Sequence, residues 1–494
     1  MHKIYSLCLL LIFSCARNED NINIDNIQSD AIVLMNSDSI KKPIDPNNEE
    51  IQIGKVKIYL ENTLSMYGYL PYLGKGGVIT DFRNTMNTLI RTSKTVYDKD
   101  NVELLLINNI KDYPINIDNN LDKIDKQTLK SKFSIGIGSS DFDILFDKVL
   151  NDWEEDEILV LIADFIYSPR GKDPLTGLDN LKGEITEAFQ TVKNSEIISV
   201  NIIHLESDFH GIYYDIKNDE HDGIKNRPYY IFIIGSEDNV KKYSEKIIPQ
   251  IKGFKLKHNY QLSPSVKKIE NFSALPFTLN KGQFASNGLI SNSSQIKSVT
   301  VKANLDQSSI VQLAVSIDLS DVPVSEEYLL DIDNYSFNND KIKIIDIGKI
   351  DDKQIQLSNG TEENINPSDI QNVKNSTHVF LLSFPSTYKD NIELSLDKNM
   401  PIWIDNVSIK AGEDDRDIKT NILKQTQTYG FNYIVEGIFN AQKAKNPQNK
   451  YFQISLDIGQ EKSVSGIGTI IGWIIVLLFL IVLTIIILKN KQRK

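Results

Sequence analysis

The chain has 494 residues, of which 41% are hydrophobic and 24% are charged, a balance typical of globular proteins. That length is sufficient for two or three domains, each with its own hydrophobic core. The formal net charge of -12 argues against a general nucleic-acid-binding protein, because such a protein needs a basic surface.

The first 15 residues have the order of a bacterial export signal. Lys3 supplies a positive charge, and residues 7–13 form an apolar run that is too short to span a bilayer. The run ends at Cys15 in an order that resembles a lipobox, so we predict a lipid on Cys15. The alternative is a plain secretory signal with an incidental cysteine. The only other cysteine is Cys8, so the chain beyond residue 15 has no disulfide bond.

Residues 16–50 are rich in Asn, Asp and Ser and are predicted to be a disordered tether. Between residues 51 and 255, apolar strand-like runs alternate with helical patterns. Nearly continuous apolar strands that alternate with helices indicate a parallel sheet covered on both faces. We therefore predict an α/β domain with a doubly wound, Rossmann-like parallel sheet, in which ligands bind at the carboxyl ends of the strands.

Oxygen-bearing side chains follow the first predicted strand of this domain. Residues 56–60 form an apolar run, and Glu61, Thr63 and Ser65 come directly after it. In an extended loop, side chains at alternate positions lie on one side, where their oxygens can surround a hard cation.

Two later stretches have a similar character. The glycine-rich residues 136–142 place Ser140 just before a predicted helix, and Asp164 follows the apolar strand 157–163. Each has a structural alternative, since Ser140 or Asp141 could cap the helix and Asp164 could form a turn.

Taken in order, these three motifs resemble the metal-site motifs of von Willebrand factor type A (vWA) domains. The chain departs from the family pattern with Glu61 for Asp, Thr63 for Ser, and Phe165 for the Gly after the third motif. The resemblance implies a divalent cation such as Mg²⁺, held by Glu61, Thr63, Ser65, Ser140 and Asp164. In that family an acidic group of the partner completes the metal shell, so the site is adhesive and not catalytic. A degenerate site without metal is the alternative.

Past residue 259 the pattern changes to short alternating strands separated by Asn, Asp, Ser and Gly turns. Residues 262–412 are therefore predicted to form an antiparallel β-sandwich. Residues 413–462 contain one helical stretch and one strand, and are assigned to a juxtamembrane segment. The alternative is that this helix and strand rejoin the α/β domain.

The C-terminal segment is strongly apolar. Residues 467–488 contain no charged side chain and are long enough for a transmembrane helix, assigned to residues 463–488. The basic residues 489–494 are then a cytoplasmic tail under the positive-inside rule. A buried core helix is the alternative. This topology predicts a single-pass protein of the bacterial inner membrane, with most of the chain outside the cytoplasm.

Nothing in the sequence predicts catalysis, because the histidines lack metal-ligand spacing and no nucleophile motif is present. We therefore predict a membrane-anchored protein that binds a protein partner at the cell envelope through the vWA-like domain. Two alternatives stay open. One is a metal-dependent hydrolase, similar to a phosphoesterase, on the same domain. The other is a structural envelope component with a degenerate metal site.

Overall fold

The computed structural model describes most of the chain beyond residue 52. The described residues are 53–74, 77–110, 112–115, 124–133, 138, 141–151, 153–167, 174–286, 295–302, 309–460, 477, 478, 480–482, 484 and 485. The predicted signal with Cys15, the tether of residues 16–50, Ser140 and the predicted tail 489–494 lie outside them.

The first half of the described chain forms a seven-stranded sheet with helices on both faces. Its elements are β1 (Lys55–Glu61), α1 (Asp81–Val96), β2 (Val102–Ile107), β3 (Asp112–Ile115), α2 (Lys126–Lys132), α3 (Phe142–Asn151), β4 (Glu157–Ala163), α4 (Pro174–Thr191), β5 (Ile198–Asp208), β6 (Tyr213–Tyr214), β7 (Glu220–His221), β8 (Asn226–Ser236), α5 (Glu237–Ile251) and β9 (Leu256–Leu262). The strand order is β3-β2-β1-β4-β8-β5-β9.

Local sequence explains these elements. Helix α1 begins after Thr80, whose hydroxyl accepts a hydrogen bond from the Arg83 N–H at 3.2 Å and so caps the helix. Its apolar side chains Phe82, Met86 and Leu89 recur at helical spacing and are buried against one face of the sheet. Every residue of β4 is buried, as expected for a central strand covered on both faces.

The predicted doubly wound parallel sheet is wrong, because the sheet is mixed. Strands β2, β1 and β4 are parallel neighbours, but β8 lies between β4 and β5 and runs antiparallel to both. Strands β3 and β9 are also antiparallel to their neighbours. The physical reason lies in the connection: a parallel neighbour requires a crossover, usually a helix, that carries the chain back to the other end of the sheet. Between β5 and β8 the chain forms only the small β6–β7 hairpin, so it re-enters the sheet at the end where β5 stops and runs antiparallel to β5.

The second half contains two further sheets. Its elements are β10 (Phe272–Leu275), β11 (Phe284–Ser286), β12 (Ser298–Val301), β13 (Ile310–Ile317), α6 (Glu326–Leu330), β14 (Tyr335–Phe337), β15 (Lys343–Asp351), β16 (Gln354–Leu357), β17 (Glu362–Asn364), β18 (His378–Pro385), β19 (Asn391–Asp397), α7 (Ile402–Asn406), β20 (Ser408–Ile409), α8 (Ile422–Gln425), β21 (Thr428–Tyr429), α9 (Phe431–Lys445) and β22 (Lys450–Gln460). One sheet has the order β10-β13-β18-β15-β16-β17 and the other β11-β12-β22-β19-β14.

The prediction of a purely antiparallel sandwich also requires correction. The six-stranded sheet is antiparallel throughout its described pairs, but in the five-stranded sheet β12 and β22 are parallel. Strand β22 comes from the segment predicted to be juxtamembrane, and it lies between β12 and β19. Helix α9 of the same segment packs against α4 of the first half. Apolar residues of both halves therefore share one core.

The predicted transmembrane helix is not found either. Across the part of the chain that the structure describes, no helix is long and apolar enough to cross a membrane. Most of residues 463–488 lie outside that part; residues 477, 478, 480–482, 484 and 485 are described, and all are helical.

Candidate functional site

The candidate site lies where β1 and β4 end. These strands are parallel neighbours, so their carboxyl ends meet at the same edge of the sheet. Glu61 is the last residue of β1, and Asp164 directly follows β4. The mixed strand directions leave this edge intact, because β2, β1 and β4 are parallel to one another.

Four of the predicted ligands form one chain of contacts. Thr63 Oγ1 donates a hydrogen bond to Glu61 Oε1 at 3.2 Å, and the Thr63 and Ser65 hydroxyls lie 3.0 Å apart. The Ser65 side chain in turn hydrogen-bonds to Asp164. We call Glu61, Thr63, Ser65 and Asp164 the edge cluster. The sequence motif thus brings two carboxyl groups and two hydroxyls together.

Three members of the edge cluster are buried, and Ser65 is half-buried. Glu61 and Thr63 are each 3% exposed and Asp164 is 1% exposed. Burial raises the pKa of Asp164 because it disfavours the carboxylate, while the Ser65 hydroxyl, the Ile166 N–H and the charge of Arg227 act in the opposite direction. The Ile166 N–H donates to Asp164 Oδ1 at 3.2 Å.

Arg227 is a buried charged residue near the edge cluster that the sequence did not predict. It is fully buried near the start of β8, and its guanidinium group is 4.5 Å from the centre of the Tyr213 ring. Its Nη1 atom donates hydrogen bonds of 3.1 Å to the carbonyl oxygens of Lys424 and Gln425. Because β8 is antiparallel to β4, its first residues lie beside the end of β4. The sequence feature that could have pointed to Arg227 is a single arginine directly before the apolar run 228–234.

The second predicted motif is described only in part, since Ser140 lies outside the described residues. Gly138 is a turn residue, and Asp141 precedes α3. The Asp141 N–H donates to Asn109 Oδ1 at 2.7 Å, and Asn109 Nδ2 donates to Asp141 Oδ2 at 3.0 Å. This pair of hydrogen bonds fixes the start of α3 to the loop after β2.

Phe165 occupies the position at which the vWA pattern has Gly. Its φ angle is 53°, in the left-handed region that favours glycine. Its ring is fully buried and stacks on Phe232 at a centroid distance of 4.4 Å, with Phe142 at 5.0 Å. Aromatic packing therefore holds a non-glycine residue in a strained conformation next to Asp164.

A segment from the second half covers this region of the first sheet. We call residues 410–427, between β20 and β21, the strap. Asp415 of the strap accepts hydrogen bonds from the Tyr213 hydroxyl at 2.5 Å and the Ile216 N–H at 3.0 Å. Ile418 is fully buried in the core of the first sheet, and the Lys419 ammonium pairs with Asp222. Together with the Arg227 hydrogen bonds, these contacts fix the strap over the β6–β7 hairpin and the start of β8.

Burial limits the chemistry of the edge cluster. The carboxyl groups of Glu61 and Asp164 are too buried to contact a substrate in this structure. Among the residues that the structure describes, no group of three or more His, Cys, Asp and Glu side chains is placed to hold a metal ion. The edge cluster contributes two carboxyl groups, and its remaining oxygens come from hydroxyls.

Comparison of the chain with known protein families, with characterised proteins and with solved structures finds no match in any of the three. The vWA resemblance thus stays a prediction from the short motifs.

Proposed function

We propose that this protein is a non-catalytic binding protein of the cell envelope and that it contacts a protein partner through the strap and the neighbouring α7. One observation carries the proposal. Ile422 and Leu423 of the strap are 78% and 66% exposed, and Ile402 of α7 is 78% exposed. Gln427 Nε2 donates to the Asn406 carbonyl at 2.9 Å and so joins the strap to the end of α7. Large exposed apolar side chains on two joined segments favour a protein-interaction surface.

A photo-crosslinking residue at position 423 of the full chain, in the native cell, tests this proposal. We expect one discrete protein adduct, and we expect Ile422→Asp to reduce its yield severalfold. A crosslinker at Ile310, which is 58% exposed on another element, is the matched control. Identical adducts from positions 423 and 310, or none from 423, would contradict the proposal. Since Ile422 is exposed, Ile422→Asp is expected to leave the unfolding temperature unchanged.

A second proposal concerns the edge cluster, which we infer to be the site of one divalent cation such as Mg²⁺. Two carboxyl groups and two hydroxyls in mutual contact are the oxygen ligands that Mg²⁺ prefers, and retained waters complete an octahedral shell. The nearby positive charge of Arg227 opposes this binding. Calorimetric titration of the full chain with MgCl₂ tests the proposal: heat that disappears in Asp164→Asn supports it, and equal heats in both proteins contradict it.

We further propose that the protein acts at the bacterial inner membrane, with most of the chain outside the cytoplasm. The support comes from residues 1–15, which have the order of a bacterial export signal that ends at Cys15, the predicted site of a lipid. Digestion of spheroplasts with an external protease is the test. Degradation of residues 53–460 in intact spheroplasts supports the proposal, and protection until the membrane is lysed contradicts it.

A further inference from the structure

A groove lies between the two halves of the molecule, away from the edge cluster and the strap. One side is formed by α5 with β5 and β9, and the other by the connection between β13 and α6. Its volume is about 620 Å³, within the range of roughly 300–1,000 Å³ that is usual for ligand pockets. The volume is therefore sufficient for a small organic ligand or a few residues of peptide.

The floor of the groove is made of amide side chains on two paired strands. Asn201 of β5 pairs with Gln261 of β9, and Ile203 with Asn259, so the three amides lie on the same face of the sheet. Asn201 is 1% exposed, and its Nδ2 atom donates to Ser244 Oγ at 2.8 Å. The Oδ1 atoms of Asn201 and Asn259 are buried and accept no hydrogen bond from any described residue.

A buried oxygen that accepts no hydrogen bond has lost its contact with water without gaining another, which is unfavourable. The floor therefore favours a ligand that supplies N–H or O–H groups. Helix α5 places a proline at the wall of the groove. Pro249 has no N–H, so it cannot donate to the carbonyl oxygen of Glu245 one turn earlier, and both residues line the groove.

The walls of the groove are aliphatic. Ile248 and Pro249 stand on one side, and Val322, Val324 and Leu329 stand on the other. No tyrosine, tryptophan or phenylalanine is among the described lining residues. Aliphatic walls suit an aliphatic side chain of similar shape, which gains roughly 25 cal/mol for each Å² of apolar surface removed from water.

The charged groups at the groove are largely paired with each other. Glu326 Oε1 lies 3.3 Å from Lys349 Nζ and 3.1 Å from His378 Nε2, and Lys241 Nζ lies 3.6 Å from Asp321 Oδ1. The lining lysines, Lys241 and Lys349, balance the charges of the lining glutamates, Glu245 and Glu326. The groove therefore favours a ligand without net charge.

We propose that the groove binds a short, uncharged peptide segment with aliphatic side chains. The backbone N–H groups of the segment donate to the Asn201 and Asn259 oxygens, and its side chains pack between Pro249, Val324 and Leu329. The groove does not include the strap, so this proposal is tested separately from the partner surface proposed above.

Ligand-observed NMR and calorimetry with the full chain test the proposal. The probe is the blocked tripeptide acetyl-Val-Leu-Val-amide, with acetyl-Asp-Leu-Asp-amide and N-acetylglucosamine as comparison ligands. We expect the neutral peptide to bind at least tenfold more tightly than either comparison ligand. Asn201→Leu, which removes the acceptor, is expected to weaken binding at least tenfold.

Asn201 also donates a hydrogen bond to Ser244, so Asn201→Leu could disturb folding. A second variant therefore tests the groove without changing Asn201. Val324 is half-buried at the wall, and Val324→Trp is expected to fill the groove and abolish peptide binding. Val266→Trp is the matched control, since Val266 is 50% exposed and does not line the groove. The proposal is overturned by failure of the peptide to bind the unmodified chain, by equal binding to Val324→Trp and Val266→Trp, or by tighter binding of either comparison ligand.

Discussion

The hydroxyl of Tyr213 donates a hydrogen bond to Asp415 Oδ2 at 2.5 Å, across 202 positions of the chain. Asp415 is fully buried, and burial raises the pKa of its carboxyl group, while the Tyr213 hydroxyl and the Ile216 N–H act to lower it. This contact fixes the strap to the β6–β7 hairpin.

Tyr213→Phe is expected to loosen the strap. The substitution leaves Asp415 buried with the Ile216 N–H as its remaining hydrogen-bond donor among the contacts described here, at a cost of about 1–3 kcal/mol. Limited trypsin digestion, read by mass spectrometry, should show faster cleavage after Lys419 and Lys424. Tyr388→Phe is the control, because it removes a hydroxyl that donates to the Asn391 carbonyl far from the strap. Equal strap cleavage in the two variants would contradict the assignment.

Asp164→Asn is expected to stabilise the protein increasingly as pH rises. The folded-state pKa of Asp164 lies above that of the unfolded chain. The favourable contribution of Asp164 to the free energy of unfolding is therefore fully present below its unfolded-state pKa, near 3.8. This contribution is lost as the pH rises through the folded-state pKa. Asparagine does not ionise and can still accept the Ile166 N–H. Urea midpoints measured from pH 4 to pH 8, without divalent cations, should diverge in favour of the variant; parallel curves would refute the prediction.

Two substitutions at Phe165 separate ring packing from backbone strain. Phe165→Ala removes the buried ring and is expected to cost about 3–5 kcal/mol. Phe165→Gly removes the same ring but also relieves the left-handed conformation, which costs roughly 1–2 kcal/mol for a residue with a Cβ. We therefore expect the Gly variant to be the more stable of the two in urea unfolding. If Ala is the more stable, the strain argument fails.

Lys398, at the junction of the two halves, should also make the free energy of unfolding depend on pH. It is 2% exposed, and its Nζ atom donates to the carbonyl oxygens of Ser263 and Ser265. Burial lowers the pKa of Lys398 to about 7, although Glu237 acts to raise it. Between pH 7 and about 10 the unfolded chain thus binds a proton that the folded chain does not, so the free energy of unfolding rises with pH.

The measurement for Lys398 is the urea midpoint at pH values from 6 to 9.5. Each unit of pKa difference is worth about 1.4 kcal/mol, so the rise above pH 7 should be measurable in the unmodified chain. Lys398→Met removes the titrating group and should abolish the rise of the urea midpoint above pH 7. The exposed Lys268, which pairs with Glu270, provides Lys268→Met as a control that keeps the rise. A rise of equal size in Lys398→Met would exclude Lys398 as its source.

The sequence predicted the edge cluster better than the sheet that carries it. Glu61 and Asp164 could be placed together because each follows an apolar strand, and the ends of neighbouring parallel strands meet. Strand direction could not be predicted in the same way. Strands β4 and β8 are both buried on two faces, so their apolar runs carry no period that distinguishes parallel from antiparallel neighbours.

Arg227 and the strap were missed for a related reason. Arg227 reaches the edge only because β8 enters the sheet beside β4 in the antiparallel direction. Asp415 is separated from Tyr213 by 202 positions, and no local pattern marks either residue as a partner of the other. Contacts of this kind depend on the tertiary fold, whereas periodicity and turn signals report only local structure.

The strap and β22 come late in the chain, and their order affects how the protein folds during synthesis. This strand, Lys450–Gln460, is the middle strand of the five-stranded sheet, and the strap that covers the first sheet precedes it in the chain. The first sheet is complete at Leu262, but the strap follows only after residue 409. At roughly 5–20 residues per second, synthesis leaves Arg227 and the site of Ile418 uncovered for about 10–30 s. During that time the nascent first half exposes to solvent the apolar surface that Ile418 later covers.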